Sequence, residues 1–175
     1  MTTSNPESGL VTYSYQTIGG TVCSGDASLP CSKTDARSVK ISYSYDQLNR
    51  LVGKTYSDGT TASSCFQYDT PLSTVSDANP IGHLTLEWTQ PGACPSPLQP
   101  QTAIPANAMT SSVLSNHDAM GQMQNEQQYT PASLAGGTYY SQVYGYDSAG
   151  DILSSTSVSV RPNAWSAFLR SRPRE

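Results

Sequence analysis

The sequence predicts an all-β protein, a run of tandem hairpins forming part of a curled sheet that does not close on itself. Three observations carry this prediction. First, only 36% of the 175 residues are apolar and 13% charged, against roughly 45–50% and about 25% in a typical soluble domain. Ser, Thr, Gln, 13 Gly and 12 Pro fill the deficit. Second, eleven Tyr argue against plain disorder, which is poor in aromatics, and Tyr, Thr and Val with few charges suit half-buried strands. Third, the chain repeats itself, and repetition outranks other sequence signals.

The repeat is clearest at Tyr43-Ser-Tyr45-Asp46-Gln-Leu-Asn49-Arg50-Leu51 and at Tyr144-Gly-Tyr146-Asp147-Ser-Ala-Gly150-Asp151-Ile152. Worn copies lie at Asn116-His117-Asp118, followed by Gly121, and at Phe66-Gln-Tyr68-Asp69, which resumes after an insertion at Gly82-His83. Another, at Tyr13-Ser-Tyr15-Gln16, has lost its Asp. From Asp46 to Asp69, Asp118 and Asp147 the steps are 23, 49 and 29 residues. In Tyr-x-Tyr both rings share one strand face. The following Asp leaves the strand, and its carboxylate accepts backbone N–H groups of a turn. Gly or Asn three residues on supplies φ > 0, and the aliphatic residue after it starts the return strand. One hairpin cannot bury its own face, so stability comes from neighbours.

Taken in order, residues 1–9 are expected to be disordered and residues 10–160 to hold the repeats. Residues 91–108 (PGACPSPLQPQTAIPANA) contain five prolines and form an insert or long loop, since Pro is poorly tolerated in a ladder. Asp58-Gly59 marks a further tight turn. Gln122–Gln128 continues its unit as polar strand or turn, and Thr130–Gly137 reads as a second loop. Residues 161–175 form a basic tail, four Arg against one Glu, expected to be disordered, with a short helix over 164–170 as the one local option.

Tyr43–Gly59 (YSYDQLNRLVGKTYSDG) resembles the YD repeat of the RHS proteins, a bacterial group related to the animal teneurins, and Tyr144–Leu153 (YGYDSAGDIL) resembles it again. The resemblance covers roughly residues 10–157. It implies a sheet that spirals into a hollow shell, which in toxin-bearing members encloses a C-terminal polypeptide toxin. It also implies adhesion or carbohydrate binding as alternatives. The five to six units here are too few for a shell. The implied function is a non-catalytic structural or interaction segment, whose partners are the remaining RHS repeats and a C-terminal effector of a longer protein. The alternatives are a cell-surface carbohydrate-binding module and a non-functional fragment of a longer RHS gene.

The residues assigned to the motif are Tyr43, Tyr45, Asp46, Asn49, Arg50, Leu51, Tyr68, Asp69, Gly82, Asp118, Gly121, Tyr144, Tyr146, Asp147 and Gly150, all in structural roles. A ladder of the four Asp for cations or sugar hydroxyls is the alternative to turn capping. Tyr13, Tyr15, Tyr43, Tyr45, Tyr56, Tyr68, Tyr144, Tyr146 and Trp88 are expected to pack across strands, with a sugar-binding platform as the alternative. His83 and His117 read as substitutions within repeats, with no G-x-S-x-G elbow beside them. No catalytic residue, cofactor or metal ligand is assigned.

Net charge is −4, not the basic excess of a nucleic-acid binder. No apolar run reaches the roughly 20 residues of a membrane span, and the N-terminus shows no signal peptide. A secreted or cell-surface location is therefore expected only as part of a longer protein. Cys23, Cys31, Cys65 and Cys94 lack zinc spacing. They read as free thiols, with a Cys23–Cys31 disulfide as the alternative. Two exposed sheet edges make self-association a further expectation.

Overall fold

A computed structural model describes residues 2–5, 9–15, 23–95 and 99–160. The chain is all-β. Eleven strands form one antiparallel sheet in which spatial order follows chain order: β1 (Thr2–Asn5), β2 (Gly9–Tyr15), β3 (Pro30–Thr34), β4 (Lys40–Tyr45), β5 (Leu51–Tyr56), β6 (Ser63–Tyr68), β7 (Leu84–Gln90), β8 (Thr110–His117), β9 (Met123–Tyr129), β10 (Tyr139–Tyr146) and β11 (Ile152–Val160). The order is open, with β1 at one end and β11 at the other. Connections are local, as a tandem hairpin sequence dictates.

The chain divides into two bodies, residues 1–66 with 89–99, and residues 67–88 with 100–175. In the first, registers run Thr12↔Thr34, Ser32↔Ser42 and Tyr43↔Lys54, with bulges at Ser14/Tyr15 and Ser44/Tyr45. Lys33 Nζ lies 5.9 Å from the Tyr13 ring and Lys54 Nζ 5.7 Å from the Phe66 ring, so alkyl stems and cations cover aromatic faces. Burial pushes the Tyr43 phenol up, helped by Tyr13 and Tyr56 nearby. Two disulfides tie this body, Cys23–Cys31 and Cys65–Cys94. The free-thiol reading is therefore corrected: Cys65 is fully buried at 0% exposure, and Cys94 crosses over Gly53, where a Cβ would lie 3.3 Å away.

The second body pairs β8 with β9, β9 with β10, and β10 with β11, in registers that include Val113↔Gln127, Gln142↔Glu126 and Tyr144↔Ser155. Its core is small: Leu72, Leu86, Trp88 and Val113, with Thr85 and Gln67 buried among the polar residues. Gln67 is satisfied by donating to the carbonyls of Thr70 and Gln101, and Thr85 donates to the Thr70 carbonyl at 2.7 Å, as buried polar groups require. Ser73 N–H donates to the Thr102 carbonyl. The proline-rich segment is thereby held against the insertion that follows Asp69.

Two expectations change. Thr2–Asn5 is a strand and not disordered, because its backbone pairs with Gly9–Thr12 of β2; the ladder overrides a polar local sequence. Within the expected loop at 130–137 a helix forms, α1 (Pro131–Gly136), with Thr130 and Ser133 making a reciprocal cap and Gly137 closing it at φ 63°. Pro at the first helical position and Gly just past the end are the usual helix punctuation. The helix considered over 164–170 and the basic tail lie outside the described residues.

Candidate functional site

The repeated Asp residues build one turn several times over. Asp46 N–H donates to the Arg50 carbonyl, and Asn49 N–H returns a bond to the Asp46 carbonyl. Asp46 Oδ1 accepts from the N–H groups of Leu48 and Arg50, both at 2.9 Å. Asp118 does the same with Met120 and Gln122, and Asp147 with Ala149 and Asp151. The third residue after each Asp takes positive φ: Asn49 at 63°, Gly121 at 80°, Gly150 at 91°. The Asp69 copy is opened by the insertion yet keeps its closure. Asp69 N–H donates to the His83 carbonyl, and Asp69 Oδ1 accepts from Gly82 N–H at 2.7 Å.

Sequence reasoning missed one copy. Asp35 caps Arg37 and Val39 in the same pattern, and Ser38 takes φ 65°. Ser in the Gly/Asn position and the lack of a preceding Tyr-x-Tyr hid it. Arg37 holds the Asp35 carboxyl below its usual range, and Thr61 does the same for Asp58. Arg50 Nε pairs with Asp46 Oδ2 at 2.7 Å.

The second Tyr of the two best copies reaches back to the preceding strand. Tyr45 Oη donates to the Pro30 carbonyl at 3.0 Å, and Tyr146 Oη to the Met123 carbonyl at 2.7 Å. Asn49 Oδ1 accepts from Asp26 N–H, and Tyr45 N–H donates to Ser24 Oγ. Leu51 opens β5 opposite Tyr45. Tyr68 ends β6 and Tyr144 lies in β10. Tyr45, Asn49 and Tyr146 thus link hairpin to hairpin.

The insertion carries a group absent from the sequence reading. Asp77 Oδ2 meets His117 Nδ1 at 2.6 Å, Asp77 Oδ1 accepts from His117 N–H, and Asn79 donates to the His117 carbonyl. The two side chains are 0% and 4% exposed. His83 stacks on His117 with ring centroids 4.5 Å apart. Among the described residues no hydroxyl or thiol hydrogen bonds to either imidazole, and no group of three His, Cys, Asp or Glu is placed to hold a metal. What the geometry does is pin the insertion to the end of β8.

A groove of about 450 Å³ crosses β9–β11 on one sheet face, with Tyr140, Gln142 and Tyr144 along β10, Gln128 beside them and Ser157 and Ser159 opposite. Ser157 donates to Gln142, which donates in turn to Ser155 Oγ. Glu126 is engaged by Ser112 and Gln128, each at 2.7 Å. Burial raises the Tyr144 phenol, and Glu126 raises it further. Trp88, by contrast, is 2% exposed and belongs to the core.

Comparison with known families adds one match. Residues 32–61, from β3 through the Asp35, Asp46 and Asp58 turns, match the RHS repeat. No curated protein matches the chain.

Proposed function

We propose that this RHS/YD-repeat protein works as a non-catalytic structural and interaction segment of a larger repeat sheet, of the kind that encapsulates or presents a C-terminal toxin. The observation that carries the reading is the use of the motif residues. Each Asp is spent on its own turn, and Tyr45, Asn49 and Tyr146 are spent on the preceding hairpin. Further RHS repeats and a C-terminal effector are the partners that follow. Secretion or surface display is supported by two disulfides, which persist in oxidising compartments. No helix among the described residues is long and apolar enough to cross a membrane.

The test is an activity screen of the purified chain on peptide, ester and glycoside substrates, beside a thermal melt of Tyr146→Phe. The expected result is no turnover and a lower melting temperature for the variant. Turnover lost in His117→Ala would overturn the reading.

A second reading is favoured by the β9–β11 groove: two aromatic rings separated by amides and hydroxyls suit a neutral glycan. Saturable binding on a polysaccharide panel, lost in Tyr140→Ala/Tyr144→Ala and kept in Tyr13→Ala, would support it.

A further inference from the structure

The loop that Cys23 and Cys31 close is also the loop that grips the Asp46 hairpin. Tyr45 N–H donates to Ser24 Oγ at 2.7 Å, and Asp26 N–H donates to Asn49 Oδ1 at 2.8 Å. Between these bonds Gly25, at φ 92°, lies so close that a Cβ there would sit 2.9 Å from the Tyr45 ring. The loop keeps its own turn, with Leu29 N–H on the Asp26 carbonyl and Ser28 N–H on Asp26 Oδ1. It then runs into β3 at Pro30, and the disulfide ties its Cys23 end back to the same strand at Cys31. The Tyr146 copy shares only part of this. Tyr45 Oη reaches the first residue of β3, Pro30, and Tyr146 Oη reaches the first residue of β9, Met123. The added grip of a cross-linked loop belongs to the Asp46 copy.

We propose that Cys23–Cys31 is a redox latch on the Asp46 hairpin, closed in oxidising surroundings and opened by thiol reductants. Exchange requires a thiolate to reach one sulfur while the other leaves as a thiolate. Cys65 is 0% exposed, so attack on it is closed, and attack on Cys94 expels the Cys65 thiolate into a buried site, where charge is costly. Cys23 and Cys31 are both half-buried, so either can be reached and either can leave toward water. The reductant's thiolate bonds to one sulfur, and the other cysteine departs as a thiolate and takes a proton. A second thiol of the reductant then displaces the first cysteine. The disulfide gains two electrons and two protons, and the dithiol becomes its own disulfide. Without the cross-link the Ser24–Asp26 stretch loses its tie to β3, and its bonds to Tyr45 and Asn49 open. The Asp46 turn persists, because Asp46 bonds Leu48 and Arg50 within the turn itself. The state of the bond is therefore read out at a repeat hairpin.

The test is amide hydrogen exchange of the full chain by NMR across a graded dithiothreitol series, beside alkylation and mass spectrometry to identify the cysteines freed. Cys23 and Cys31 are expected to alkylate at about tenfold lower reductant than Cys65 and Cys94. Within that window the amides of Tyr45 and Asp26, which donate across the latch, exchange about tenfold faster or more. The amides of Asp46 and Asp147, each bonded inside its own turn, keep their rates. Reoxidation restores the first pair. Cys23→Ser/Cys31→Ser reproduces the open pattern with no reductant present, and the wild-type series decides the matter even where that variant fails to fold. Three results would overturn the proposal. Tyr45 protection unchanged with the bond open would make the disulfide a static cross-link. Opening of Cys65–Cys94 at the same reductant would remove the selectivity. Exchange rising equally at Tyr45 and Asp46 would mean that the bond holds the body folded and latches nothing.

Discussion

At the scale of single residues, the turn depends on two positions with different demands. The Asp needs an acceptor oxygen on a short stem; the position three residues on needs left-handed backbone. Asn49 and Gly121 meet the second demand differently. Asn49 tolerates φ 63° and lends its side chain to Asp26 N–H. At Gly121 a Cβ would sit 2.7 Å from His83 Cε1, and that ring is held in a stack with His117. Gly121→Ala therefore combines left-handed strain of roughly 1–3 kcal/mol with a clash that His83 relieves only by leaving the stack. The expected loss is about 2–4 kcal/mol by denaturant unfolding, against about 1 kcal/mol for Asn49→Gly, which keeps the backbone but loses one hydrogen bond. Equal losses at the two sites would refute this assignment. The motif at Asp46, Asp118 and Asp147 was legible in the sequence because the whole turn lies within five residues. The Asp77–His117 pair was not, because its partners stand 40 residues apart and neither neighbourhood is distinctive.

At the scale of elements, what was legible tracked how local the cause is. Strands bounded by Asp turns could be read from Tyr-x-Tyr alternation. β1 could not, since Thr2–Asn5 is polar and becomes a strand only by pairing with β2. α1 carried readable signals, Thr130, Pro131 and Gly137, which the surrounding loop texture outweighed. Of the two disulfides, Cys23–Cys31 was legible as the alternative to free thiols because it closes a short loop, whereas Cys65–Cys94 was not, because spacing does not fix connectivity. The two bridges should differ in worth. Cys23–Cys31 closes an 8-residue separation and Cys65–Cys94 one of 29. Constraint of the unfolded chain gives roughly 2.5 and 3.5 kcal/mol respectively. The second bridge is also packed, with Cys65 fully buried and Cys94 over Gly53. Replacing the Cys65–Cys94 pair by Ala is expected to lower the melting temperature more than replacing Cys23–Cys31. The reverse order would mean that the residue 91–99 segment contributes little to the first body.

At the scale of the whole molecule, charge is segregated along the chain. From residue 55 to residue 160 there is no Lys or Arg, while Asp58, Asp69, Asp77, Glu87, Asp118, Glu126, Asp147 and Asp151 all lie there. Residues 1–54 carry five basic and four acidic side chains. Two effects then compete as pH falls. Protonation relieves repulsion among the acids, a term already weakened by screening over about 8 Å at physiological ionic strength. It also removes the charged form that the turns bind. Asp26, Asp35 and Asp58 have folded-state values below the reference of 3.8, through hydrogen bonds from Ser28, Arg37 and Thr61 respectively. A depressed carboxylate contributes stability that is present above its unfolded value and lost as pH drops through the folded one. The local hydrogen bonds act at contact distance and the repulsion acts through solvent, so the turns should win. The melting temperature is expected to fall between pH 5 and pH 2.5, with most of the loss below 3.8. Asp35→Asn should flatten that acid limb, because it removes one titrating cap while keeping an acceptor oxygen in place. At pH 7 added salt should raise the melting temperature slightly, by screening the acid-only stretch, and at pH 3 it should do much less. A chain that grew more stable on acidification would show instead that repulsion along residues 55–160 outweighs the turn carboxylates.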